Sequence, residues 1–265
     1  MHWIIQKKMG KDPKVDKLIH NLNKLDVPVN FCNVLPFSED GIEFVDYTPN
    51  PSIPYFTYGS YTLASIAKKY YSPASFISED LASNQLFKNY KNEMFNSDMK
   101  FSTIGETKLP EGDSFIRPVS DSKSFTGQVI SKNEFDEWKG NLLSMGTSGY
   151  ATIDLNTEIT YAKVKPIHQE IRCFIVDKKV VTCSVYKQGG VLFLSENVDQ
   201  HIIDYVNRIV KEWSPDVAFC LDVAVTNGVP KILEANCINA SGLYAIDTQK
   251  FVMAIEDLTP LYTKI

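Results

Sequence analysis

The chain has 265 residues, 44% of them hydrophobic and 22% charged, with a formal net charge of -5. That is apolar material enough for one elaborate domain or two smaller ones. Both signs of charge are interspersed, so neither a basic face for nucleic acid nor an acidic tail for a basic partner stands out.

Five cysteines without a C-x-x-C pair read as buried free thiols of a reducing compartment. The apolar run in MHWIIQKKMG is too short for a signal peptide, and no later run approaches a membrane span. The expected location is cytoplasmic, with no membrane partner.

Trp3 to Gln6 reads as a short strand, and Pro13 to Leu25 sets Val15, Leu18, Ile19, Leu22 and Leu25 at helical spacing. Val29 to Val34 reads as a second strand, Pro36 to Pro54 as a Pro/Gly/Asn-rich connection, and Thr62 to Tyr71 as a helix. This order predicts a small α/β unit with a parallel sheet, bounded near Ser72-Pro73. Gly59-Ser60 ahead of the helix is either a structural turn or a pair of backbone N–H donors for an anion.

Glu79 to Phe95 looks helical and Asn96 to Pro110 looks like a polar connection. Phe115 to Val119 and Phe125 to Ile130 read as a strand and its return, with a helix from Asn133 to Leu143. Arg117, mid-strand before Pro118, must carry its guanidinium to an anion or to water. The connecting loop, Ser120 to Ser124 with Lys123, followed by Thr126 and Gly127, offers hydroxyls and a cation that can fold over phosphates. It is not a Walker loop.

Ile171 to Val176 and Val180 to Tyr186 form a predicted strand pair around the turn Asp177-Lys178-Lys179. Arg172, two residues after Glu170 in an apolar strand, is either half of an Arg-Glu ion pair or a fork for phosphoryl charge. From Asp199 to Trp213, Ile202, Val206, Ile209, Val210 and Trp213 form one stripe, with Asp199 as a candidate N-cap. The four histidines, His2, His20, His168 and His201, show neither metal spacing nor a triad.

The stretch from Asp216 to Asp247 carries the densest chemistry: DVAFCLDVAVTNGVPKILEANCINASGLYAID. Val217 to Val225 and Lys231 to Asn236 read as a hairpin around Thr226-Asn227-Gly228-Val229-Pro230. If Val225 pairs with Lys231 across that five-residue loop, Asp222 lies opposite Glu234, Asn236 shares their face, and Leu221 and Val223 meet Ala235 and Leu233. A two-residue Asn-Gly turn would shift the register and separate the carboxylates, so the apolar pattern favours the longer loop. Asp222, Glu234 and Asn236 then make an all-oxygen set suited to Mg²⁺ or Mn²⁺; the alternative is a surface hairpin with solvated acids.

After the hairpin, Gly242 is placed to allow a positive-φ turn that leaves Ser241 and backbone N–H groups free to face a ligand. Asp247 either caps the last helix, predicted from Ile246 to Leu258, or contacts an amine.

An Asp on one strand, Glu-x-Asn at the end of the next and a Ser-Gly-Leu-Tyr loop soon after resemble the C-terminal signature of the ATP-grasp superfamily. The resemblance spans about Phe115 to Leu258. It implies an α/β plus α+β chain: an N-terminal α/β unit over 1–75, then an ATP-grasp fold over 76–265. In that fold the nucleotide sits between a lid subdomain (76–165) and a metal-binding subdomain (166–265).

What the resemblance implies for function is an ATP-dependent carboxylate-amine ligase with an acyl-phosphate intermediate. Its cofactors would be ATP and Mg²⁺ (or Mn²⁺), and its substrates an amino acid, peptide or protein; a homodimer is compatible with it. Asp222, Glu234 and Asn236 would hold the metal. Arg117-Pro118 resembles the lid-strand Lys-Pro pair with Arg substituted, as in phage-type branches.

By the same resemblance Arg117, Lys123 and Arg172 would face the phosphates, the two arginines catalytically. Lys165, Ile167 and Glu170 would lie at the adenosine hinge, and Ser241, Gly242, Tyr244 and Asp247 at the substrate. Lys88, Lys91 and Lys100 are candidates for the superfamily's earlier lysine. Asp222→Ala or Glu234→Ala is expected to abolish turnover with the fold intact. Two alternatives stay open: a phosphotransferase on a hydroxyl substrate, and a nucleotide-binding protein without turnover.

Overall fold

Alternating apolar strands and amphipathic helices assemble into three sheets in the computed structural model, which describes residues 1–7, 13–35, 41–50, 52–70, 74–119, 125–145 and 153–262. The first sheet comes from β1 (His2–Gln6), β2 (Val29–Val34), β3 (Ile42–Val45) and β4 (Tyr55–Tyr58), with helices α1 (Pro13–Lys24) and α2 (Tyr61–Tyr70). Its order is β3-β2-β1-β4, with β1 parallel to both neighbours and β3 an antiparallel edge.

The expected parallel unit is therefore present, and the Pro-rich connection hides β3 and leads into β4. At the start of α2, the Gly59 N–H donates to the Asn239 carbonyl at 2.9 Å and the Ser60 N–H to Gln6 Oε1 at 2.8 Å. Both donors are consumed, so the structural turn holds and the anion site does not.

The second sheet contains β5 (Lys100–Thr103), β6 (Asp113–Pro118), β7 (Gln128–Ser131) and β8 (Glu158–Lys163) in the order β5-β8-β6-β7, all antiparallel. Helix α4 (Lys132–Met145) accompanies it, whereas α3 (Ser83–Tyr90) buries Leu86 and Tyr90 in a core shared with Ile171, Phe219 and Ile232. The helix expected from Glu79 to Phe95 is broken, because Lys91 at its end takes φ 47°. The core of this sheet is small: Ile104, Leu109, Ile116, Ile130, Phe135 and Ile159.

The third sheet, order β11-β10-β9-β12-β13, is antiparallel throughout. It comprises β9 (Gln169–Val176), β10 (Lys179–Gln188), β11 (Val191–Ser195), β12 (Ala218–Thr226) and β13 (Val229–Cys237), with helices α5 (Gln200–Glu212), α6 (Thr248–Glu256) and α7 (Thr259–Tyr262). Asp177 and Lys178 both have positive φ, 46° and 60°, as a tight hairpin turn requires. Asp199 occupies the N-cap position of α5 but its side chain makes no capping hydrogen bond.

Ile202, Val206, Ile209 and Val210 of α5 are buried against Ile171, Cys173 and Phe219 of the sheet. Each such burial contributes roughly 2 kcal/mol relative to exposure. On the opposite face, Phe174, Cys220 and Phe251 join Trp3, Leu18 and Phe56 of the N-terminal unit in one continuous core. All five cysteines are buried and free. Among the described residues no helix is long and apolar enough to cross a membrane.

Candidate active site

The β12–β13 turn is the two-residue one. Asn227 and Gly228 have φ of 52° and 76°, with Thr226 paired to Val229 and Val225 to Pro230. The expected pairings of Val225 with Lys231 and Val223 with Leu233 are thus overturned, and a regular ladder from this turn would part the carboxylates. They stay together because Val223 pairs with Ile232 while Asp222 pairs with Glu234, leaving Leu233 as an extra residue in β13. This bulge supplies the one-residue offset that the longer loop was expected to supply.

Ser184, Arg172, Asp222 and Glu234 thereby form a row across β10, β9, β12 and β13. Arg172 donates from Nε and Nη2 to the two Asp222 oxygens at 2.8 and 2.7 Å. Its carboxylate partner is Asp222 and not Glu170. Glu170 instead accepts from the Tyr186 hydroxyl at 2.7 Å and lies 3.4 Å from Lys187 Nζ.

From the second sheet, Arg117 Nη1 reaches across to Glu234 Oε2 at 2.7 Å. Asn236 Nδ2 bridges Glu234 Oε1 at 2.9 Å and Asp222 Oδ2 at 3.4 Å. Asp222 is only 1% exposed. Burial pushes its carboxyl above the ordinary range, Arg172 pulls it down, and the Glu234 charge adds to the rise. Burial works against the Arg172 charge, but Asp222 prevails and holds it protonated.

These groups open on a cleft of about 440 Å³ between the second and third sheets. Phe115, Arg117, Gly127 and Ala162 form one wall; Glu170, Arg172, Lys187, Asp222 and Glu234 form the other. The Tyr244 ring stacks on Tyr186 at 4.8 Å, with the Arg172 guanidinium 5.0 Å from its centre. Paired acids opposite paired guanidinium groups, in a cleft between two α+β layers, suit a polyanion carried with a divalent ion.

Residues 96–254 match the model of an ATP-grasp domain family, the second family of its clade. The chain belongs to this family. The D-alanine–D-alanine ligase from Bacillus anthracis superposes with a TM-score of 0.58 at 15% identity, covering 100% of this chain and 99% of that one. For D-cycloserine synthetase DcsG the TM-score is 0.62 at 10% identity, covering 97% and 100%. For the ATP-grasp ligase PsnB complexed with minimal precursor it is 0.54 at 10% identity, covering 98% and 99%. At such identities the likeness establishes the fold. No curated protein matches the chain.

In this ATP-grasp chain Arg117, Ile167, Glu170, Arg172, Asp222, Glu234 and Tyr244 all line the cleft, and Asn236 bonds to both acids. Three other candidate site residues make their bonds elsewhere, Asp247 in the capping role that was one of its two readings. Lys165 is drawn off to the Phe95 carbonyl at 3.1 Å and to Asp98, outside the cleft lining. Ser241 is buried and gives its hydroxyl to the Cys237 carbonyl at 2.8 Å. Asp247 caps α6, accepting from the N–H groups of Gln249 and Lys250 at 3.0 and 3.1 Å.

The positive φ expected of Gly242 occurs instead at Tyr244, 48°. A Cβ on Gly242 would meet Tyr244 and Arg172 Nη1 at ordinary contact distances, 3.5 and 3.7 Å, so Gly242 borders the Arg172 corner of the cleft although a side chain would fit there. Lys123 falls outside the described residues. Lys88, Lys91 and Lys100 are absent from the cleft lining.

The sequence reading missed Lys187, Phe115, Met94 and Ser83, all of which line the cleft. Phe115 was findable, since it alternates onto the face of Arg117; Lys187, at a strand end, looked solvated. Among the described residues no group of three or more His, Cys, Asp and Glu is arranged to hold a metal ion by itself. Beside Asp222 and Glu234, Asn236 is the neighbouring side chain whose carboxamide presents oxygen once turned over. Two adjacent carboxylates plus that oxygen fit Mg²⁺.

Proposed function

We propose that this protein is an ATP-dependent carboxylate-amine ligase working through an acyl phosphate. The observation that carries the reading is the Arg172–Asp222–Glu234 row, its arginine and aspartate buried, met by Arg117 from the opposite sheet in the cleft of an ATP-grasp domain. Asp222, Glu234 and Asn236 would hold Mg²⁺, which when bound offsets phosphate charge.

Glu170 and Ile167 would face the adenosine, leaving the phosphates toward the arginines. A substrate carboxylate oxygen attacks the γ-phosphorus and ADP departs; an amine then attacks the acyl carbon and phosphate departs, the amine proton passing to solvent. Arg117 and Arg172 would stabilise the equatorial oxygens of the transferring group, and Lys123, outside the described residues, would add a third cation. Tyr244, against Arg172, would border the reacting carboxylate.

The substrate class is an amino acid or a peptide. D-alanine–D-alanine ligase and D-cycloserine synthetase are named for amino-acid chemistry, and PsnB is complexed with a precursor peptide. We further assign 1–75 to an N-terminal unit, 76–165 to the lid and 166–265 to the metal-binding part. The buried thiols suit a cytoplasmic setting.

The test is a panel of amino acids and peptides incubated with ATP and Mg²⁺, with phosphate release and product mass both followed. Phosphate should appear only when carboxylate and amine are supplied together. Transfer of phosphate onto a hydroxyl compound would replace the ligase reading with a phosphotransferase, and ATP binding without turnover on any pair would leave a binding protein.

A further inference from the structure

Among the described residues β11 is a free edge of the third sheet, and it presents Val191, Leu192, Phe193 and Leu194 to solvent at 68, 69, 47 and 39% exposure. Their side chains alternate above and below the sheet, and none joins a hydrophobic cluster of the described residues. Sheet edges are ordinarily blunted by charge or proline. β13, at the opposite edge, carries Pro230 and Lys231; β3 carries Glu43 and β5 carries Lys100. β11, with sequence VLFLS, carries none of these.

This edge continues into the site. Lys187, which lines the cleft, is the cross-strand partner of Leu192. At the other end, Ser184 Oγ shares its proton between the Val185 and Ser195 carbonyls, 2.8 and 3.2 Å away, and accepts the Ala245 N–H at 3.1 Å, next to Tyr244. A strand laid along β11 therefore ends where the reacting carboxylate is proposed to sit. The edge is about 17 Å long, too short by itself to bury the ~1,200 Å² from which stable dimer interfaces start.

We propose that β11 docks an extended peptide with apolar side chains at alternate positions, adding it to the sheet so that a carboxylate beyond Ser195 enters the cleft. This rests on the ligase reading and narrows its substrate to a peptide. Backbone pairing would supply affinity and the alternating side chains selectivity.

A synthetic nine-residue peptide of alternating valine and threonine, ending in glutamate, serves as the probe, with a proline-interrupted version as control. Hydrogen exchange on the full-length protein should show residues 191–195 slowed by the probe and not by the control. The double variant Leu192→Lys with Leu194→Lys should weaken probe affinity roughly ten-fold while leaving affinity for magnesium-ATP unchanged.

Unslowed exchange at this edge would overturn the proposal. So would an edge already protected without peptide, in a dimer that the lysine variant dissociates, since a second copy would then cover it. Probe docking without phosphate release, when ATP, Mg²⁺ and a panel of amines are supplied with it, would sustain the docking surface and count against the ligase reading alone.

Discussion

Asp222 and Glu234 sit side by side yet differ in what their loss should do. Asp222 is the bidentate partner of Arg172, which is 8% exposed. Removing Asp222 leaves a buried guanidinium unpaired, a change that costs about 3–5 kcal/mol. Asp222→Ala should therefore shift the urea midpoint strongly, against the expectation from sequence of an intact fold.

The Glu234 side chain is 32% exposed and its partner Arg117 17%. Glu234→Gln should cost under about 1 kcal/mol yet abolish ATP-dependent Mn²⁺ binding, read by electron paramagnetic resonance. Equal destabilisation by both changes would contradict the assignment of Arg172 to Asp222. The acids were legible in the sequence because they interrupt apolar runs. Which acid Arg172 holds was not: Glu170 shares its strand face, and Asp222 becomes a neighbour only through long-range register.

At the scale of elements, local signals succeeded where one period governs and failed where geometry departs from it. Asn227-Gly228 was a visible turn, but the bulge at Leu233 has no side-chain signature beyond the adjacent apolar pair Ile232-Leu233. β4 was missed because Tyr55 to Tyr58 are all buried and show no alternation. β11 was missed because its apolar residues are all exposed and show none either.

The bulge makes a sharp prediction. Deleting Leu233 converts the ladder to a regular one in which Val223 still meets Ile232 and Asp222 still meets Glu234, so magnesium-dependent ATP affinity should fall by no more than about three-fold, the part due to a lost cleft contact. Had the longer loop set the register, the same deletion would bring Ala235 opposite Asp222 and remove binding. Equilibrium titration with ATP separates the two outcomes.

Across the whole molecule, the order of units along the chain could be read from sequence, but their mechanical grouping could not. Trp3 packs edge-on against Phe251 at 5.7 Å and donates from Nε1 to Glu256 at 2.8 Å. Asn239 binds the carbonyls of Thr57 and Ala74 and accepts the Phe76 N–H at 2.8 Å. Contacts between positions so distant in sequence leave no local trace.

They make the first and third sheets one cooperative unit, whereas the second sheet has its own small core and meets the acids through Arg117. Amides of β1 and β9 should therefore exchange at a common free energy near that of global unfolding, and those of β6 and β8 at a lower one. A ligand spanning the cleft binds only when the second sheet is in place. Magnesium-ATP at about a hundred times its Kd should accordingly raise the opening free energy of β6 and β8 by about 2.7 kcal/mol. Hydrogen exchange with mass detection reads both statements, and β1 opening ahead of β9 would mean that the N-terminal unit folds on its own.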